Sequence, residues 1–143
     1  MKIALGSDHA GYNLKEKMKE YLASQNNEVK DFGTYSSDSC DYPDFAKPVA
    51  ESVAKKEYDR GIVVCGSGVG VSITANKVPG IRAVIAYNEE IAKQSREHGD
   101  CNVLALGEKY MDFESAKKIV DIWLKTPFSN DPRHIRRINK IER

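Results

Sequence analysis

Apolar and polar positions alternate along this chain in a regular succession of short strands and amphipathic helices. Ile3-Ala4-Leu5 is a brief apolar run that ends in Gly6-Ser7-Asp8-His9, which predicts a buried strand with a polar C-terminal edge. Leu14, Met18, Tyr21 and Leu22 follow at helical spacing with Lys and Glu between them, predicting a helix from about Gly11 to Ser24. Glu28 to Phe32 alternates like a strand. Gly33 to Pro43, rich in Ser, Asp and Tyr, reads as a loop. Phe45, Val49 and Val53 mark a second helix. Gly61 to Cys65 is a third strand, apolar throughout, as in a sheet covered on both faces.

Gly66 to Gly70 is a glycine-rich turn into a short helix that ends near Asn76, before the break at Val78-Pro79-Gly80. Arg82 to Ala86 and Asn102 to Leu106 complete five strands, separated by a helix over Glu89 to His98. Phe113 to Leu124 is a fifth helix, and the segment after Pro132 a short last one. Strands alternating with helices mean βαβ units and a parallel sheet. A doubly wound α/β fold with helices on both faces follows, with 2-1-3-4-5 as the expected strand order. In such a sheet the ligand site lies outside the C-terminal ends of the strands, at the switch point between strands 1 and 3. Those ends carry Asp8-His9 and Cys65 to Gly70.

Composition narrows the picture. The chain has 143 residues, one domain's length, and shows no internal repeat or linker. At this size about 68–70% of the surface can be buried, enough for stability without disulfide or metal. A net charge of +1 argues against a dedicated nucleic-acid binder. The charge is uneven, however: Arg133, Arg136, Arg137, Lys140 and Arg143 face a single acid, Glu142, in the tail. Cys40, Cys65 and Cys101 form no CxxC pair and no disulfide framework. With no apolar stretch near the ~20 residues of a membrane span, and no leader pattern, a cytoplasmic location without membrane attachment is expected.

The turn Cys65-Gly66-Ser67-Gly68-Val69-Gly70 is the most informative stretch. Its glycines let the backbone curl and expose N–H groups, which together with a helix N-terminus make an anion site. A simple strand-to-helix turn is the other reading. It is not a Walker loop, because no GK[ST] follows, and Val71 rules out both GxGxxG and a Cys-x5-Arg phosphatase loop. Cys65 stands at its mouth, where a helix N-terminus favours a thiolate by roughly 0.3–1 kcal/mol, up to ~2. It could equally be a small buried apolar residue. No Asp or Glu occurs from Gly66 to Asn88 to compete as a base. Asp8 and His9 suit acid–base work or hydroxyl binding, and Asp8 also suits a helix N-cap. His98 is a candidate of the same kind, or a cation at a helix C-terminus. If the tail is helical, Arg133 and Arg137 lie one turn apart and could clamp a phosphate; a solvated tail is the alternative. The residues alone point to a small phosphorylated ligand and a cysteine or histidine acid–base group.

Together these landmarks resemble the type B ribose-5-phosphate isomerases and the related allose- and galactose-6-phosphate isomerases. The resemblance covers essentially the whole chain. It rests on Ser7-Asp8-His9-Ala10-Gly11, Asp41-Tyr42-Pro43-Asp44, Cys65 to Gly70, Arg96-Glu97-His98, and Arg133-His134 followed by Arg137. It implies a Rossmann-like three-layer fold over residues 1–143 with a C-terminal helical tail. It also implies an aldose–ketose isomerase acting through an enediolate, without metal or cofactor, on ribose 5-phosphate and ribulose 5-phosphate of the non-oxidative pentose phosphate pathway. By position, Cys65 would be the base. Some relatives use a glutamate on the following helix, where Thr74 and no acid stands here. The N–H groups of Ser67, Gly68, Val69 and Gly70, with Gly66 beside them, would hold the enediolate oxygen. His98 would assist ring opening with Asp8 opposite. Tyr42 would line the sugar site, and His9, Arg133 and Arg137 would bind phosphate, with His134 and Lys109 as further candidates.

The resemblance further implies a homodimer, or a dimer of dimers, with each site built from two subunits. Two positions depart from the family pattern. Gly99 replaces the usual Asn after His98, which opens a six-carbon substrate as an alternative. Asp131-Pro132 replaces Gly-Gly before Arg133, with Pro132 placed to start the last helix. A non-catalytic module for nucleotides or sugar phosphates is the remaining reading.

Overall fold

The computed structural model describes residues 1–143. Five strands, β1 (Lys2–Ser7), β2 (Glu28–Asp31), β3 (Arg60–Cys65), β4 (Ala83–Ile85) and β5 (Val103–Gly107), pair in parallel throughout. Between and after them run α1 (Tyr12–Ser24), α2 (Pro43–Ala54), α3 (Val69–Asn76), α4 (Glu89–Gly99), α5 (Phe113–Lys125) and α6 (Pro132–Ile141). The elements predicted from hydrophobic periodicity are all present.

Each central strand is apolar on both of its faces. Ile3 and Leu5, Ile62 and Val64, and Leu104 and Leu106 point to one side, where they pack on Leu14, Met18 and Leu22 of α1 and on Ile119 and Trp123 of α5. Their neighbours Ala4, Val63, Cys65, Val103 and Ala105 point to the other side, against Val49 and Val53 of α2 and Val71 and Ala75 of α3. The period-2 alternation of a strand thus feeds two cores at once.

The strand order is β2-β1-β3-β5-β4, so the expected 2-1-3-4-5 is corrected at its last two positions. Two physical reasons agree. All five residues of β5 are buried, whereas the three of β4 are only half-buried, so β4 suits an edge. The hand of the crossovers gives the second. Steps from β2 to β3 and from β3 to β4 use α2 and α3 on one face. The steps from β1 to β2 and from β4 to β5 use α1 and α4 on the opposite face. A right-handed crossover placed on the opposite face must travel the opposite way along the sheet. Because α4 lies on the same face as α1 and α5 and packs on α5, β5 has to turn back and insert beside β3.

Beneath the loop that joins β2 to α2 lies a buried cation. Lys15 is fully buried, and its Nζ donates to Asp31 at 2.8 and 3.0 Å, to Glu16 at 2.8 Å and to the Thr34 carbonyl at 2.6 Å. Lys19 adds a second ammonium on Asp31 at 2.9 Å. Ser7 N–H donates to the Gly33 carbonyl and Thr34 N–H to the Ser7 carbonyl, so the loop starts locked to the end of β1.

Candidate active site

The C-terminal ends of β1, β3 and β5 converge on the glycine turn. Cys65, the last residue of β3, is 5% exposed, and its Sγ accepts a hydrogen bond from the Gly68 N–H at 3.1 Å. Gly68 caps α3 at φ +86°, a left-handed conformation that glycine adopts without strain. The leading N–H groups of a helix have no partner inside it. Here Gly68's goes to the sulfur and Val69's to Ser67 Oγ at 3.1 Å, with Gly70's next in the same set. Thr74, at the position where some relatives carry an acid, donates its hydroxyl to the Gly70 carbonyl at 2.9 Å within α3.

Around this turn stand most of the other candidates. The Tyr42 ring lies directly over Gly70, where a Cβ would come within 2.6–2.9 Å of ring atoms. The Lys109 side chain crosses Gly66, and its backbone N–H donates to the Gly66 carbonyl at 3.0 Å. His9 sits in the single helical turn His9–Gly11 after β1. Its Nδ1 accepts the Cys40 N–H at 3.2 Å, which leaves Nε2 to carry the ring proton. Asp8 is 6% exposed and caps that turn, its Oδ1 accepting the Gly11 N–H at 3.0 Å. One oxygen of this proposed acid–base carboxylate is therefore committed to holding backbone.

Four candidates stand elsewhere. The helix α4 starts beside the C-terminal edge of the sheet and runs back for 11 residues, about 16 Å. That places His98 at the N-terminal edge, away from Cys65 and Asp8. Its ring stacks on His134 of α6, with centroids 4.2 Å apart and a 31° tilt. Arg133, His134 and Arg137 all lie on α6, a helix with no buried residue. Arg133 binds both oxygens of Asp131, at 3.2 and 3.0 Å, while its backbone N–H takes Asp131 as cap at 2.8 Å. Those bonds hold the Asp131 carboxyl down to about 2. Within one chain the expected pairing of His98 with Asp8 is thus not made.

Three further residues at the Cys65 edge were not marked by sequence, two bonded to candidate groups and one packed beside them. Cys40 orients His9 through its backbone. Tyr87, just after β4, donates its hydroxyl to the Ser67 carbonyl at 2.5 Å. Tyr110, after β5, meets the Tyr87 ring edge-on at 5.9 Å. Position at the C-terminal edge was the only signal that could have marked the two tyrosines. No three His, Cys, Asp or Glu side chains gather as a metal-holding group, and no helix is long and apolar enough to cross a membrane.

The family model described as Ribose/Galactose Isomerase matches residues 3–141. The chain is 47% identical to ribose-5-phosphate isomerase B of Escherichia coli, over 98% of this chain and 93% of that protein. A solved ribose-5-phosphate isomerase B from Clostridium thermocellum superposes with a TM-score of 0.98 at 54% identity, covering 99% of this chain and 95% of that one. The structure of the Mycoplasma genitalium ribose-5-phosphate isomerase B with bound ribulose 5-phosphate superposes at 0.94 with 42% identity, covering 99% and 93%.

Proposed function

The chain belongs to the ribose/galactose isomerase family, and from that premise we propose that it interconverts ribose 5-phosphate and ribulose 5-phosphate with Cys65 as the base. In the open-chain aldose, the Cys65 thiolate takes the proton from C2 and an enediolate forms. The same sulfur returns that proton to C1 while a proton passes from O2 to O1, which leaves the ketose. Hydrogen moves only within the substrate, so the net reaction calls for no outside oxidant or reductant. Among the backbone N–H groups of the Ser67–Gly70 turn, Gly70's, which neither the Cys65 sulfur nor Ser67 Oγ takes, holds the developing oxyanion. Tyr42 lines the sugar, and His9 donates a hydrogen bond from its Nε2–H to a phosphate oxygen.

The rest of the site comes from a second copy. His98, with Asp8 facing it, opens the sugar ring, and Arg133, Arg137 and His134 clamp the phosphate beside Lys109. This arrangement accounts for a single chain that carries both sets of groups at opposite edges of its sheet. The setting is the cytoplasm, where three unpaired thiols stay reduced.

The observation that carries this reading is the Gly68 N–H on the Cys65 sulfur, at the mouth of a turn with no carboxylate near it in sequence. A donor held there fixes the sulfur at the mouth of the turn, beside the backbone amides that follow it. The test is steady-state isomerisation of ribose 5-phosphate by wild type and Cys65→Ser, with EDTA present. Wild type turns over unaffected by EDTA, and the variant loses at least ~100-fold in kcat, the lower range for removing a general base. Retained turnover in the variant rejects Cys65 as the base. A higher kcat/KM for allose 6-phosphate than for ribose 5-phosphate replaces the five-carbon substrate with the six-carbon one.

A further inference from the structure

The Ser67–Gly68 peptide is gripped on both of its polar ends. On one side its N–H points at the Cys65 sulfur, 3.1 Å away. On the other its carbonyl accepts the Tyr87 hydroxyl at 2.5 Å. A trans peptide aims C=O and N–H in opposite directions, so tyrosine, amide and sulfur stand in one line of hydrogen bonds. The third contact is steric. Gly107, the last residue of β5, lies so close that a Cβ there would come within 2.5 Å of the Ser67 carbonyl oxygen. Tyr87 is itself held by the edge of Tyr110.

We propose that Tyr87 is a positioning residue for the isomerisation, acting on the Cys65 sulfur through the Ser67–Gly68 peptide. It rests on the reading of Cys65 as the base. Hydrogen bonds in series polarise one another, by ~10–30% per bond. A hydroxyl donating to the carbonyl draws electron density toward oxygen and makes the amide N–H a better donor to a thiolate. The same bond fixes the peptide plane, so the N–H points at sulfur before substrate arrives. Tyr87 acts through the amide and touches no reacting atom.

Tyr87→Phe removes the hydroxyl and keeps the ring and its contact with Tyr110. The other ionisable groups at this edge stay in place: Asp8 and His9 after β1, Tyr42 before α2, and Glu108, Lys109 and Tyr110 after β5. Iodoacetamide alkylation of Cys65, read by peptide mass spectrometry, separates it from Cys40 and Cys101. At about pH 7 the variant alkylates Cys65 about 2–3-fold more slowly than wild type. At about pH 10, above the ordinary thiol range, the two rates converge. With ribose 5-phosphate, kcat falls about 3-fold while KM stays within about 2-fold. Tyr110→Phe, which keeps its ring edge, changes none of these.

Equal alkylation rates at about pH 7 overturn the proposal. So does a deficit that persists unchanged to about pH 10, since that reports access rather than ionisation. An equal effect of Tyr110→Phe overturns it as well, because the loop would then be loosened as a whole. The alkylation arm needs no turnover. A wild type inactive on ribose 5-phosphate rejects the proposed function, while the thiol measurement judges Tyr87 separately.

Discussion

Gly70 has space for a hydrogen and little else, because the Tyr42 ring occupies the volume where a side chain would begin. A methyl group there cannot coexist with the ring at 2.6–2.9 Å, so one of them moves. Tyr42 is 40% exposed and precedes α2, whereas Gly70 is fixed within the first turn of α3, so the ring yields. Gly70→Ala therefore displaces Tyr42, the ring proposed to line the sugar, and leaves the Cys65–Gly68 contact intact. We expect KM for ribose 5-phosphate to rise about 5–10-fold with kcat within about 3-fold, the split expected when binding is lost without loss of the reacting groups. A kcat loss as large as that of Cys65→Ser would place Gly70 in the chemical step instead. At this scale the sequence was most legible where backbone geometry dictates residue type. Glycines at 66, 68 and 70 announce a loop of exposed amides. Tyr87 carries no such mark, because a tyrosine after a short strand looks like any surface aromatic until its hydroxyl is placed on the Ser67 carbonyl.

At the scale of elements, the joint between α1, β2 and the following loop is held by charge. Burial alone would push the Asp31 carboxyl up, but hydrogen bonds from Lys15 and Lys19 and from the Gly33 N–H overcome it and hold it below its ordinary value. The Lys15 hydrogen bond likewise lowers Glu16. In the unfolded chain these carboxylates take up protons at higher pH, so acid favours unfolding. The stabilisation is whole above about pH 5 and is lost as pH falls below about 4, through the folded values. Urea unfolding against pH checks this, and Asp31→Asn should flatten the slope between about pH 5 and 3. Lys15→Met leaves Asp31 without its buried partner and should cost about 3–5 kcal/mol in the same assay; a loss under about 1 kcal/mol would mean water replaces the ammonium. The loop anchored here delivers Cys40 to His9 and Tyr42 to Gly70, so its stability is also site geometry. Each strand and helix of this fold was readable locally, from periodicity or, for α3 and α6, from the glycines and prolines that bound them. The order of β4 and β5 was not, because period reports which face of an element is buried and says nothing about its neighbour. The face chosen by α4 settles that order, and only the burial of Ala92 in the core on the α1 and α5 side of the sheet displays it.

For the whole molecule, the direction of α4 decides what one chain can do alone. It carries His98 to the edge opposite Cys65, and α6 follows with Arg133, His134 and Arg137 on a helix that buries nothing. Candidate residue types could be named from sequence; their separation to two ends of one sheet could not, because motif spacing carries no distance. If a second copy supplies the missing half, two differently damaged proteins can repair each other. Cys65→Ser destroys the half at the C-terminal edge, and His98→Asn the half on α4. In a dimer of one copy of each, one site receives both lesions and the other receives neither. Random reassortment makes about half of the dimers mixed, and each mixed dimer has one intact site of two. Unfolding the two inactive variants together and refolding them should then restore about a quarter of wild-type kcat per chain. Each variant refolded alone stays inactive. Arg137→Ala should complement Cys65→Ser in the same way and fail to complement His98→Asn, since both of those lesions travel on the same half. If no mixture regains activity, the groups must meet within one chain, and α6 with the end of α4 would have to leave its place at the N-terminal edge to reach Cys65.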